Sequence, residues 1–290
     1  MITLKFGGTS MGSAKRMLDS ASIMIDRAKN EKISVVVSAV AGISNKLQAS
    51  INAAVAGENL LTFIEDIRTT HITICNELEK LLKDFDKIAV MTNVEPVLAL
   101  YEKLLNAVAA FGECPLSIHC HIMGLGELMS SPIMAGILEA QNMNVKLVDS
   151  RNLIYTTGNQ AEGDVDYPRT IEAFRQFYNL SDVQDSQILL FPGFICTWQN
   201  KQAEKGEVLS MGLLGRNGSD FSAAIVATGL NSSKVEFWTD VDGVYTADPR
   251  IVKDAILVDD MSYEEAMELS FFGSKVLHPK TLTPLASRNI

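Results

Sequence analysis

The chain has 290 residues, and its 35 acidic side chains outnumber its 25 basic ones, which gives a formal net charge of −10 and a pI near 4.9. Proteins that hold nucleic acid through phosphate contacts, and helices that lie on membranes, are usually rich in lysine and arginine, so this balance argues against both kinds of partner. With 47% hydrophobic and 21% charged residues, the chain has the composition of a globular protein that buries a large core.

Short β-branched segments alternate with longer helical patterns, which is typical of α/β proteins. The strand at 33–38 is almost entirely apolar, as expected for a parallel strand that is buried on both faces. One continuous sheet joining two halves of the chain fits this order best. In chain order, the pattern predicts strands at 2–6, 33–38, 145–148, 188–191 and 235–238, a hairpin within 193–211, a helical region at 45–143 with breaks near 57, 84–86, 96 and 112, and further helices at 13–29, 170–178, 221–229, 262–269 and 277–287.

Export and membrane anchoring are not indicated. Lys5 and two glycines interrupt the first apolar stretch, where a signal peptide needs an unbroken one, and charged residues divide every later apolar run. We therefore expect a soluble, cytoplasmic protein. The cysteines form no CxxC pair, and the thiols and imidazoles between residues 114 and 121 are too close in sequence to converge on one ion, so we expect them to be packing residues.

The first glycine-rich turn, Gly7-Gly8-Thr9-Ser10, follows a strand and precedes a helix. Backbone N–H groups in such a turn can bind anionic oxygens, although the same pattern also makes a simple tight connection. It matches neither the P-loop nor the dinucleotide fingerprint. Lys5 lies in the apolar strand before the turn, and because a buried ammonium needs a partner, it favours the anion site.

Three further clusters bring charged groups into small or apolar surroundings. Residues 213–220 combine Arg216, which can grip a carboxylate, with Asp220, which is either a helix cap or a catalytic group. Residues 238–250 suit either an Asp-Gly hairpin or a nucleotide site. Glu127 lies in a helical stretch of small and apolar residues, so we expect a cationic partner for it.

Six motifs occur in order along the whole chain. They are KFGGTS, SAVAGISN (38–45), GELMS (126–130), LGRNGSD (214–220), WTDVDGVYTADPR and FGSKVLHP (272–279). Together they resemble the aspartate kinases of the amino acid kinase superfamily, and RNGSD and VDGVYTADPR are most similar to the kinase portion of bifunctional aspartokinase–homoserine dehydrogenases. Many monofunctional aspartokinases carry a second glycine where Asn217 stands here.

The resemblance implies an α/β fold, a three-layer α/β/α sandwich around a mainly parallel sheet, as in carbamate kinase. It implies transfer of the ATP γ-phosphoryl group to the β-carboxylate of L-aspartate with Mg²⁺, the first step towards lysine, threonine and methionine. Residues 1–290 would form the catalytic domain, with an aspartate-binding lobe at about 1–200 and a nucleotide-binding lobe at about 201–290. C-terminal ACT and dehydrogenase regions would be absent, and the full-length protein would be a homo-oligomer.

The same resemblance implies roles for individual residues. Lys5, Gly7, Gly8 and Asp220 would be catalytic, with Lys5 stabilising the transferred charge and Asp220 orienting Lys5 rather than acting as a base. Glu127 would bind the substrate ammonium and Arg216 its α-carboxylate, assisted by Ser44 and Ser219; the family often has threonine at the Ser44 position. The residues that would hold the nucleotide are Lys5, Gly8, Thr9, Ser10, Thr239, Asp240, Tyr245, Arg250 and Lys275, with Mg²⁺ carried by the ATP phosphates rather than by protein ligands.

Other interpretations of the site stay open. The chain could be a fragment of a monofunctional aspartokinase, or a kinase of acetylglutamate, glutamate, carbamate or UMP. A catalytically idle subunit that only binds amino acid or nucleotide is a third possibility. The pairing of Glu127 with Arg216 favours an α-amino acid with a free ammonium, and the presence of Lys5 and Asp220 argues against an idle subunit.

Overall fold

The computed structural model describes residues 1–200, 208–247, 251–271 and 278–290. The strands are β1 (Ile2–Phe6), β2 (Ile33–Val37), β3 (Val145–Leu147), β4 (Tyr155–Thr157), β5 (Asp164–Val165), β6 (Ile188–Pro192), β7 (Ile195–Asn200), β8 (Val208–Leu213) and β9 (Val235–Trp238). The helices are α1 (Ala14–Ala28), α2 (Ile43–Val55), α3 (Leu61–Leu81), α4 (Lys87–Phe111), α5 (Leu116–Glu139), α6 (Tyr167–Tyr178), α7 (Ser181–Asp185), α8 (Gly218–Leu230), α9 (Tyr263–Phe271) and α10 (Pro279–Arg288). Short 3₁₀ helices span Gly8–Met11 and Ser150–Asn152.

Two sheets organise the chain. Five parallel strands form the larger one in the order β3-β6-β2-β1-β9, so both halves of the chain contribute to it. Phe6 lies opposite Val37 on one side and Trp238 on the other, which brings the carboxyl ends of β1, β2 and β9 to one edge. The second sheet has the order β5-β4-β7-β8 and is mostly antiparallel.

Alternation along the central strands produces the layers, because successive side chains of a strand point to opposite faces. Val35 and Leu190 belong to a core that also contains the apolar faces of α1 to α5. Val36 and Leu189 belong to a second core with side chains of α6 and α8. The predicted three-layer α/β/α architecture around a mainly parallel sheet is therefore confirmed.

The expected helix break near residue 96 is wrong, because α4 runs without interruption through Pro96. Pro96 lies on the exposed face of the helix, where water can solvate the carbonyl that loses its backbone partner. On the opposite face Val94, Leu98 and Tyr101 are buried, and this burial outweighs the unfavourable proline. None of the helices in the described part of the chain combines the length and the apolar character needed to cross a bilayer.

Two strands, β4 and β5, were not predicted from the sequence. They are three and two residues long, so neither contains enough residues to show an alternating pattern. Their position matters because β4 pairs with β7, and β7 begins directly after the turn at Gly193-Phe194 that borders the candidate site.

Candidate active site

A cavity of about 380 Å³ opens at the edge where β1 and β2 end. Ligands of open α/β sheets typically bind outside the carboxyl ends of the strands, and this cavity has that position. It receives residues from the loops after β1 and β2, from α5, from the β6–β7 turn and from the loop into α8. Its lining comprises Lys5, Gly8, Ser38, Ala39, Val40, Ala41, Gly42, Ser44, Met123, Glu127, Phe194, Gly215, Asn217, Gly218, Ser219 and Asp220.

An ion pair between Lys5 and Asp220 lies in this cavity. The Lys5 Nζ atom is 2.5 Å from Oδ1 of Asp220, and the two side chains are only 12% and 14% exposed. Lys5 is the charged residue of an otherwise apolar strand, as the sequence indicated, and Asp220 supplies the partner that its burial requires. Asn217, in the left-handed conformation, is the N-cap of α8, so the helix-cap interpretation of Asp220 is wrong. Asp220 instead lies in the first turn of α8, directed at Lys5.

Glu127 is the third ionisable group of the cavity. Its side chain lies on α5, its residue is 3% exposed, and its Oε2 atom has no hydrogen-bond partner among the described residues. Burial raises the pKa of Glu127 to about 8, although hydrogen bonds to the backbone of Glu127 itself and of Ala39 act in the opposite direction. Within the described ranges, the cationic partner expected from the sequence is not found on the protein. Glu127 therefore lines the cavity and has one carboxyl oxygen that is buried and unpaired.

Two helices begin at this cavity. Gly42 caps α2 with φ of +79°, a left-handed conformation that glycine adopts without strain, and Ser44 follows in the first turn. Gly218 and Ser219 open α8 on the opposite side. Backbone N–H groups at the start of a helix are unpaired and attract anions. The cavity thus combines one ammonium group and two helix N-termini, which favour anions, with two carboxyl groups: Asp220, which pairs with Lys5, and Glu127, whose ionised form favours a cation.

Six of the predicted site residues, Lys5, Gly8, Ser44, Glu127, Ser219 and Asp220, line this one cavity. Gly7 is adjacent to it, since a Cβ atom at that position would lie 3.3 Å from Nζ of Lys5. Thr9 and Ser10 lie in the 3₁₀ helix that begins at Gly8, outside the lining. Arg216 lies between two lining residues of the β8–α8 loop, but its own side chain is exposed and outside the lining.

The predicted nucleotide residues after β9 form a separate group. Thr239 donates a hydrogen bond to Oδ1 of Asp240 (3.1 Å), and the Tyr245 hydroxyl donates to Asp242 (3.3 Å). Because β9 pairs with β1, Thr239 leaves the sheet at the same edge as Gly7. Arg250 and Lys275, the last two predicted nucleotide residues, lie outside the described residues.

Sequence reasoning missed the apolar part of the lining, which includes Met123 and Phe194. Met123 precedes Glu127 by one helical turn, so a helical interpretation of the GELMS motif extended backwards would have placed both on one face. Phe194 follows a Pro-Gly pair, which signals a turn but does not indicate that the phenylalanine has a positive φ angle (+69°).

Comparisons with known proteins agree with this geometry. A model of the amino acid kinase family matches residues 1–290. The bifunctional aspartokinase/homoserine dehydrogenase of Buchnera aphidicola is 34% identical over 291 residues, and that of Haemophilus influenzae is 36% identical over 290 residues. Each match covers 100% of this chain but 34% of the relative, so the chain spans about a third of the length of these curated proteins.

A solved structure shares the fold closely. The crystal structure of Escherichia coli aspartokinase III in complex with aspartate and ADP matches with a TM-score of 0.86 at 30% sequence identity, covering 99% of this chain and 60% of that one. The family inferred from the six sequence motifs is therefore confirmed by both sequence and fold: the chain belongs to the amino acid kinase family.

Proposed function

We propose that this chain is an aspartate kinase, which transfers the γ-phosphoryl group of ATP to the β-carboxylate of L-aspartate and yields 4-phospho-L-aspartate and ADP. One observation carries the proposal: the partnerless carboxyl oxygen of buried Glu127 shares a cavity with the Lys5–Asp220 pair. An amino acid acceptor supplies the ammonium that Glu127 lacks, while Lys5 serves the phosphoryl group. The relatives named as aspartokinases support the choice of aspartate.

The acceptor is held at both ends of its α-amino acid group. Glu127 binds the ammonium, because a buried carboxylate without a partner gains most from a cation. Arg216 binds the α-carboxylate after its exposed side chain turns towards the cavity, and the hydroxyl groups of Ser44 and Ser219 assist at the starts of α2 and α8. This arrangement disfavours acids with an acylated nitrogen, which carry no ammonium for Glu127.

Phosphoryl transfer to a carboxylate needs little proton transfer. A side-chain carboxyl with a pKa of about 4 is already ionised at neutral pH, so no general base is required. One of its oxygens forms a bond to the γ-phosphorus, and the bond from that phosphorus to the bridging oxygen of ADP breaks, leaving the electron pair on ADP. The task of the protein is then positioning and charge neutralisation, which we assign to the Lys5 ammonium and the N–H groups of Gly7 and Gly8. Asp220 orients Lys5 through their 2.5 Å contact.

The nucleotide occupies the edge next to β1 and β9 in this proposal, with Thr239, Asp240 and Tyr245 among its contacts. Magnesium in kinases is usually held by one or two carboxylates and the substrate phosphates, and it neutralises charge on those phosphates. The described residues contain no group of three or more His, Cys, Asp or Glu side chains that could hold a metal ion by themselves. Asp220 is the lining carboxylate next to Lys5, so the donor set fits a magnesium ion carried chiefly by ATP.

We also propose that the chain is the kinase region of a longer protein with homoserine dehydrogenase activity, which assembles as a homo-oligomer. The bifunctional relatives, about three times as long as this chain, support the presence of a dehydrogenase region. The mass of the protein isolated from its source tests it: a native polypeptide of about the size of this chain alone contradicts it.

A coupled assay of ADP release with a panel of acceptors tests the kinase proposal. We expect turnover with L-aspartate and none with acetylglutamate, carbamate or UMP; L-glutamate serves as the near control, since it differs from aspartate by one methylene. Glu127→Gln should lose most of the turnover with aspartate at low concentration. Turnover with acetylglutamate but not with aspartate rules the proposal out.

A further inference from the structure

Phe194, at the turn between β6 and β7, has an unusual backbone conformation. Its φ angle is +69°, in the left-handed region that bulky side chains rarely adopt. Such residues persist only where the surrounding structure holds them, and they cluster at functional sites. Phe194 lines the candidate active-site cavity together with Glu127 and Asp220, so the conformation occurs at the place where an acceptor would bind.

Hydrogen bonds hold the Phe194 backbone on both sides. Its N–H group donates to Oγ of Ser222 (2.8 Å), and its carbonyl accepts from the N–H of Leu214 (3.0 Å). The Ser222 hydroxyl itself donates to the carbonyl of Gly218, one turn earlier in α8 (2.9 Å). Ser222 is completely buried and does not line the cavity. Within the turn the N–H of Ile195 donates to the carbonyl of Gly193 (2.8 Å), and the Ser222 hydroxyl ties this turn to the first turn of the helix that carries Asp220.

Close contacts fix the ring as well as the backbone. A Cβ atom added to Gly218 would lie 2.5 Å from Cδ2 of Phe194, and one added to Gly193 would lie 2.8 Å from Cβ of Ser219. The turn is therefore fitted directly against the start of α8. A backbone rotation at Phe194 would move the ring away from Gly218 and open the wall of the cavity.

We propose that Ser222 is a positioning residue for the acceptor site: it holds Phe194 in the left-handed conformation, so that the ring closes the cavity wall and limits the length of the acid accepted. This inference rests on the proposed kinase function and extends it from the groups that bind the charged ends of the acceptor to an apolar side chain that selects the acceptor by its length. Ser222 acts through Phe194 and touches no reacting atom. Its removal should change recognition of the acid and leave the nucleotide side of the reaction intact.

Ser222→Ala tests the proposal, with Thr228→Val as the matched control. Thr228 is also buried on α8, and its hydroxyl donates to the carbonyl four residues earlier (2.8 Å), but no hydrogen bond joins it to the turn among the described residues. Loss of the Ser222 hydroxyl leaves the Phe194 N–H without its partner, so we expect the KM for aspartate to rise about tenfold. We expect kcat and the KM for ATP to stay within about twofold, and the preference for aspartate over glutamate to fall. Thr228→Val should behave as the unsubstituted protein.

A second background separates positioning from general stability. In Phe194→Gly the backbone adopts the left-handed conformation without strain and the ring is absent, so adding Ser222→Ala should raise the KM for aspartate no further. Phe194→Ala, which keeps Ser222, should by itself relax the preference for aspartate over glutamate, and it provides the test if Ser222→Ala does not fold.

The outcomes are distinct. An unsubstituted protein that turns over no aspartate overturns the kinase proposal itself. An active protein whose Ser222→Ala variant keeps its KM for aspartate, or in which Thr228→Val causes the same rise, overturns only the role of Ser222. A rise in the KM for aspartate on Ser222→Ala that is equally large in the unsubstituted protein and in the Phe194→Gly variant also overturns the role of Ser222.

Discussion

Titration of Glu127 should control how tightly the acceptor binds. The burial that raises its pKa to about 8 keeps this carboxyl largely protonated in the free protein at neutral pH. An ammonium pairs with the ionised form, so binding has to remove the proton. The affinity for aspartate should therefore increase as the pH rises from 7 to 9, a range in which the aspartate carboxylates no longer titrate.

The size of the effect follows from the ionised fraction. With a pKa of about 8, Glu127 is ionised, and so competent to bind an ammonium, in roughly one-tenth of the free protein at pH 7 and about nine-tenths at pH 9. Because the apparent dissociation constant is the intrinsic one divided by the competent fraction, the KM for aspartate should fall about tenfold across this range. By the same arithmetic, binding of one aspartate at pH 7 releases about 0.9 proton.

Two measurements check this prediction. Initial rates at saturating ATP give the KM for aspartate at each pH, and titration calorimetry in two buffers of different ionisation enthalpy counts the protons released. Glu127→Gln is the control, because its amide does not titrate; we expect weak binding that is nearly independent of pH between 7 and 9. A KM for aspartate that stays within twofold over the whole range, without proton release, refutes the reasoning.

The remaining predictions concern side chains withdrawn from water. Removing one member of the Lys5–Asp220 pair leaves a poorly hydrated charge unpaired, so Lys5→Met and Asp220→Asn should each lower the free energy of unfolding by about 3 kcal/mol. The double variant should recover most of this loss and remain at least about a hundredfold less active than the unsubstituted protein. Single variants that are as stable as the unsubstituted protein in urea unfolding contradict this. Burial lowers the pKa of His71 below its usual value, so below about pH 6.5 the unfolded chain binds a proton that the folded chain does not, and this histidine should lower stability by up to about 1.4 kcal/mol per pH unit, against the opposite contribution of Glu127. Urea midpoints at pH 7 and 5 in the unsubstituted protein and in His71→Gln isolate the histidine: the variant should gain stability relative to the unsubstituted protein as the pH falls. Pro96→Ala restores a backbone donor on the exposed face of α4 and should raise the free energy of unfolding by about 1–2 kcal/mol; a lower urea midpoint shows instead that the proline ring stabilises the helix.

The strands that carry the site could be predicted from the sequence because their physical signal is local. The strands β1, β2, β6 and β9 are short apolar segments bounded by turn residues, and each begins where it was predicted. The break at Pro96 was predicted wrongly because a proline in a helix is costly in isolation, while the compensating burial of Tyr101 and its neighbours depends on helices distant in sequence. Burial of that kind leaves no local signal.

The charged part of the site was predictable for a related reason. Lys5 and Glu127 stand out as charges in apolar surroundings, and such residues need partners that only a ligand or another segment can supply. Phe194 could not be identified in this way, since an aromatic residue after a turn is ordinary. Its importance comes from a backbone angle and from contacts with α8, and both are properties of the folded chain.

The cavity concentrates features that destabilise the free protein. Glu127 lacks a partner among the described residues, and Phe194 has a conformation that costs about 1–3 kcal/mol. The pKa of Glu127 in the folded chain, about 8, lies above the usual value of about 4.3 for an unfolded chain, so the folded state binds this proton more tightly and stability decreases as the pH rises between the two values. A bound ammonium removes this loss, because it pairs with the ionised carboxylate. Stabilisation of the protein by aspartate should consequently grow with pH up to about 9, for the same reason that its affinity does.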